Sequence, residues 1–139
     1  MSWQVEFRRV PRGQEGDAYW VLGIGDESVE LEAPWGSVGG DPYLDLLRAV
    51  RGLCEGADRS TCSWMLEPGE YRWELVREGN DVQVRILDAG GSFDQVLFDR
   101  TCRLRELVRA VSAALEGVGS EDVAFLNDWL AGGTSETAI

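Results

Sequence analysis

Tyr71-Arg72-Trp73-Glu74-Leu75-Val76-Arg77, followed by Glu78-Gly79-Asn80-Asp81 and then Val82-Gln83-Val84-Arg85-Ile86, is the stretch that decides the fold. Large apolar side chains fall at every second position on either side of the Glu78 to Asp81 turn, the period of strands with one buried face. The segment predicts a β-hairpin. Gln95 to Asp99 reads as a third strand. From Leu104 the period lengthens, and Leu104, Leu107, Val108, Val111, Ala114 and Leu115 make a helical stripe suited to covering a sheet.

The same order recurs upstream. Leu46-Leu47-Arg48-Ala49-Val50-Arg51-Gly52-Leu53-Cys54-Glu55-Gly56 matches the segment from Leu107 to Gly117 at the leading Leu, the Arg-Ala-Val and the closing Glu-Gly. Trp20-Val21-Leu22 before Gly25-Asp26-Glu27 likewise parallels Trp73-Glu74-Leu75 before Gly79-Asn80-Asp81. Two related halves sharing one core follow from this. The expected class is α+β: a single antiparallel sheet of six to seven strands, two helices packed on one face in a ββα-type duplication, and a short C-terminal helix. Residues 1–131 are expected to form one domain and 132–139 a mobile tail.

The remaining elements follow from the same two periods. Trp3, Val5 and Phe7 alternate with polar residues in a first strand ended by Pro11 and Gly13. Ala18 to Ile24 and Ser28 to Ala33 pair around Gly25-Asp26-Glu27, with Val29 and Leu31 inward and Glu30 and Glu32 outward. Asp41 is a natural N-cap and Pro42 a natural first residue for a helix ending near Gly56. Cys62 to Leu66 is a short strand leading into a Pro68-Gly69 turn. Ser120 is the expected N-cap of a last helix carrying Val123, Leu126, Trp129 and Leu130.

Composition narrows the chemistry. The chain has 139 residues, 25 carboxylates and 13 cations, a net charge of −12. Such a balance repels phosphate backbones and anionic headgroups, so neither nucleic acid nor membrane is expected as a partner and a basic protein is. Every cation is arginine; lysine and histidine are absent. That excludes Schiff-base and P-loop lysines, histidine general bases and histidine metal sites. Cys54, Cys62 and Cys102 have no CxxC spacing, so neither zinc nor a redox dithiol is indicated, and no disulfide is expected. No apolar run of about 20 residues is present, and the chain reads as cytoplasmic.

The candidate site is a charge layout. From Gly13 to Leu47 there is no cation, while Glu15, Asp17, Asp26, Glu27, Glu30, Glu32, Asp41 and Asp45 all fall there, with Trp35 as an aromatic anchor. Asp26, Glu27, Glu30, Glu32, Trp35, Asp41 and Asp45 are therefore the expected protein-binding residues. The plainer reading is a solvated acidic face. The glycine-rich Pro34 to Gly40 has no Walker lysine and reads as a connecting loop. Cys102 is expected at a helix start near Arg100, Arg103 and Arg105, surroundings that lower a thiol pKa. The C-terminal Glu136-Thr137-Ala138-Ile139 fits a four-residue sheet-edge motif and is short enough to arise by chance.

Gly69-Glu70-Tyr71-Arg72-Trp73-Glu74-Leu75, Val82 to Leu87 and Cys102-Arg103-Leu104-Arg105-Glu106-Leu107 resemble the second half of small acidic bacterial proteins of the polymorphic-toxin immunity type. The resemblance covers about a third of the chain and has no functional motif, so no residue role carries over. It implies a non-catalytic protein that neutralises a basic toxin domain by stoichiometric binding, without cofactor, metal or catalytic residues. The alternatives are a small acidic secretion-type chaperone and, from another class, a carboxylate-based enzyme.

Overall fold

The computed structural model describes residues 4–12, 16–34, 41–66, 69–118 and 120–132. Trp3, residues 35–40 with Trp35, Pro68 and residues 133–139 lie outside the described residues. In chain order the elements are β1 (Val5–Arg12), β2 (Gly16–Ile24), β3 (Glu27–Glu32), α1 (Pro42–Cys54), β4 (Arg59–Met65), β5 (Glu70–Glu78), β6 (Asp81–Asp88), β7 (Gln95–Arg103), α2 (Leu104–Ala114) and α3 (Ser120–Gly132).

The deciding stretch forms the hairpin its alternation demands. Tyr71, Trp73 and Leu75 on β5 and Val82, Val84 and Ile86 on β6 are buried, and Glu78 pairs with Asp81 across the two-residue turn Gly79-Asn80. The β2–β3 hairpin closes in the same way over Gly25-Asp26. Gly25 and Gly79 both have φ 64, and no other residue type among those described takes positive φ, the pattern of a II′ turn with glycine first. Pro11 lies inside β1 at a register shift between Val10 and Arg12, on an edge strand where the missing N–H breaks no ladder.

The single six-to-seven-stranded sheet is corrected. There are two antiparallel sheets, β1-β2-β3 and β4-β5-β6-β7. The β2–β3 turn lies beside β7, but side chains make the join: Arg100 Nη2 meets Asp26 Oδ1 at 2.8 Å and Nη1 meets Glu27 Oε1 at 3.6 Å. At the far end of β3 the Glu32 N–H donates to Tyr71 Oη on β5 (3.1 Å). Tyr71 belongs to the buried face of β5, so β3 crosses the inner face of the four-stranded sheet instead of extending it. Alternation specifies one buried face per strand and is identical whether the strands share one sheet or two opposed sheets.

Between the sheets stands an aromatic cluster. Phe7 stacks on Trp20 with centroids 4.7 Å apart and meets Trp73 edge-on at 5.8 Å, while Trp64 lies 5.1 Å from Trp73 and 6.1 Å from Trp20. Trp64 Nε1 donates to the Pro42 carbonyl at 3.1 Å, and Trp20 Nε1 to Tyr43 Oη at 3.3 Å, which ties both rings to the start of α1.

The helices are also placed differently from expectation. They do not sit side by side on one sheet face: α1 runs along β4, the edge of the second sheet, and α2 runs along β1, the edge of the first. Helix α3 packs against both. Its latch is Asp122, 8 % exposed, held by Arg51 Nη1 at 3.1 Å and by Arg48 Nε at 3.7 Å. Arg51 also lies over the Phe125 ring at 4.2 Å, and Arg105 donates to the Leu130 carbonyl at 2.9 Å. Cys102 belongs to β7, opposite Val82, and not to a helix start; the helix begins at Leu104.

Candidate interaction surface

The strand period turns Glu30 and Glu32 to the outside of the first sheet, because Val29 and Leu31 between them face the core. Glu30 stands opposite Val21 and Glu32 opposite Tyr19 on β2. Arg8 stands opposite Val21 on the other side, one strand beyond, and pairs with Glu6 of its own strand at 3.1 Å. Neither Glu30 nor Glu32 has an ion-pair partner among the described residues.

The rest of the acidic segment is divided among other tasks. Asp26 and Glu27 are held by Arg100, which makes them a clasp between sheets. They border a shallow open hollow of about 530 Å³ that Gln4, Glu6 and Ser28 also line. Asp41 caps α1: its Oδ1 accepts from the N–H groups of Tyr43 (3.0 Å) and Leu44 (3.2 Å). Replacing Asp41 with alanine is expected to cost about 1 kcal/mol, read as a lower urea midpoint at unchanged slope. Asp45 faces β4, in a groove of about 430 Å³ with Arg48, Ala49, Ser60, Thr61 and Cys62. The expected seven-residue surface is thus not one surface. Its outward-facing, unpaired part is Glu30 and Glu32, Asp45 stands apart in the groove, and Trp35 lies outside the described residues.

The outer face of the second sheet carries carboxylates too, but interleaved with arginine. Arg85 reaches Glu74 at 3.2 Å and Asp99 at 3.5 Å, Arg72 reaches Asp94 at 2.9 Å, and Arg103 reaches Asp81 at 3.3 Å. Cross-strand pairing of this kind neutralises the middle of that face locally, whereas Glu30 and Glu32 stand together on β3 with no such arginine between them.

The pKa-lowering surroundings expected for Cys102 are corrected. It is 1 % exposed, and burial, reinforced by the nearby Asp81 and Glu106 charges, pushes its thiol up to about 12. Cys62 is pushed up to about 12 as well, by burial first and then by Asp45. The three arginines near Cys102 in sequence turn elsewhere: Arg100 to the β2–β3 turn, Arg103 to Asp81 and Arg105 to α3.

No group of three or more His, Cys, Asp or Glu residues with metal-holding geometry occurs among the described residues. No described helix is long and apolar enough to cross a membrane. Sequence reasoning missed the Arg100 clasp and the groove between α1 and β4. The clasp had a faint signal, since Arg100 occupies a core-facing position of β7, between buried Phe98 and Cys102, where an unpaired charge is costly. Comparison with family models, with curated proteins and with solved structures finds no match for this chain.

Proposed function

We propose that this protein works by binding, as a non-catalytic partner of a basic protein, and that the outer face of β3 is the surface it presents. The observation that carries the reading is the pair Glu30 and Glu32. They lie exposed and adjacent on one face and lack the arginine partners that Glu74, Asp81 and Asp99 of the second sheet have. Uncompensated carboxylates on a rigid strand produce a directed field and lose little side-chain freedom to a neighbour before a cation arrives. The backbone beneath them is fixed at both ends, by the Arg100 clasp at Asp26 and by the Glu32 to Tyr71 hydrogen bond. A rigid surface of one sign suits stoichiometric capture, the mode implied by the resemblance to immunity proteins, with a cationic toxin domain as the finer form of the proposal.

The test is kinetic. A cationic protein recovered on the immobilised chain from its source cell is expected to associate fast at low salt. The rate should fall steeply towards physiological ionic strength, where the Debye length is ~8 Å. Replacing Glu30 and Glu32 together with glutamine should lower the association rate about three- to tenfold and flatten its salt dependence. Stability should change little, since both side chains are in solvent. An unchanged salt dependence in the double variant would remove this face as the binding surface.

A further inference from the structure

We infer a second binding site, separate from the β3 face: the free edge of β4 and the groove beside it take up an extended peptide segment that carries a lysine or arginine. The edge is read from the ladder. The Arg77 N–H donates to the Asp58 carbonyl at 2.7 Å, which makes 58 and 77 a hydrogen-bonded pair. In the register of β4 with β5, the hydrogen-bonded partners are then Ser60 with Leu75, Cys62 with Trp73 and Trp64 with Tyr71. The backbone N–H and C=O groups of Thr61 and Ser63 therefore point away from the sheet. Both residues are exposed, and no described backbone group bonds to them. Unpaired edge groups are a template for one more strand.

The groove gives the added strand a second wall. Helix α1 runs along β4, and Asp45, Arg48 and Ala49 face Ser60, Thr61 and Cys62 across an open space of about 430 Å³. Side chains of an added strand alternate: one set projects to solvent beside Thr61 and Ser63, and the other turns to α1. There Ala49 leaves room for a small or apolar side chain. Asp45 names the charge of the neighbour two residues along. Its carboxylate has no ion-pair partner among the described residues, because Arg48, one helical turn away, is directed to Asp122. A strand laid on the open edge of β4 beside the flank of α1, with backbone bonds for affinity and one cation for register, is the occupant these features fit.

The probe is a displayed library of random octapeptides, panned on the whole chain, with the enriched sequences then made synthetically. The expected result is enrichment of Lys or Arg at one position among alternating small and apolar residues. Thr61→Pro removes the outward N–H and no ladder bond, so it should weaken the enriched peptides at least tenfold with the fold intact. Asp45→Asn should weaken them about three- to tenfold and relax the choice at the basic position. A measurement that leaves the protein untouched guards against misfolding: N-methylation of alternate peptide amides should abolish binding in one phase of alternation and not in the other. Glu30→Gln with Glu32→Gln should leave peptide affinity unchanged, which separates this site from the β3 face. The inference is overturned if panning enriches nothing over the bare support, if Thr61→Pro in folded protein binds the peptides as well as the parent chain, or if both phases of N-methylation are tolerated.

Discussion

Trp64→Ala is expected to lower the stability of this protein by about 3–5 kcal/mol, a large part of the roughly 5–15 kcal/mol that a domain of this kind possesses. The side chain is 0 % exposed and borders Phe7, Trp20, Tyr43 and Trp73, so it touches both sheets and α1 together. Alanine leaves a void that neither sheet can fill without moving relative to the other, because each is held in its own ladder. It also strips the Pro42 carbonyl of its donor. Trp64→Phe separates the two contributions: the ring contacts persist, the hydrogen bond does not, and the cost should be about 1–3 kcal/mol. Urea unfolding followed by far-ultraviolet circular dichroism reads both. A loss below about 1 kcal/mol for the alanine variant would mean that the aromatic cluster is not the joint between the sheets.

The second large effect is chemical. With their thiols pushed up to about 12, Cys62 and Cys102 should resist alkylation in the native protein. At pH 8 a thiol titrating near 12 is ionised about once in 10⁴, whereas an ordinary thiol near 8.5 is ionised in about a quarter of molecules. Since the thiolate is the nucleophile, labelling by iodoacetamide should be at least about a thousandfold slower in native protein than in urea, scored site by site by mass spectrometry. The same shifts predict alkaline instability. A thiol whose folded pKa is raised holds its proton in the native chain after the unfolded chain has lost it. Its contribution is therefore complete below about pH 8.5 and is lost as pH rises from there towards 12, at roughly 1 kcal/mol per pH unit for each thiol. Cys102→Ala should reduce that slope. Rapid native labelling of Cys102 at pH 8 would show that β7 opens readily from β6.

Several elements could be read directly from the residues because a local cause determines them. The β5–β6 hairpin follows from alternation around Gly79-Asn80, and α1 starts where Asp41 can cap it and proline can occupy the first turn. The helical stripe from Leu104 becomes α2, with Leu104, Leu107, Val108 and Val111 buried. Charge was legible too, as the stretch from Gly13 to Leu47 without a cation. Whether each carboxylate in that stretch is free was not legible. The arginine that claims Asp26 and Glu27 is Arg100, 74 residues from Asp26 in the chain.

By itself, then, the amino-acid sequence determined the two periods, the turns, the first cap, the residues of the core and the sign of the surface, each set within a few neighbouring residues. Tertiary structure alone decided that the strands divide into two sheets, that α1 and α2 each run along the edge strand of the other half, and that Glu30 and Glu32 keep their charge uncompensated while Asp26 and Glu27 do not. The physical reason is that a strand's pattern records which of its faces is dry, and not which other strand or helix keeps it dry. That second fact depends on a packing of Phe7, Trp20, Trp64 and Trp73, drawn from four strands, and on a guanidinium reaching between two edges that no ladder joins.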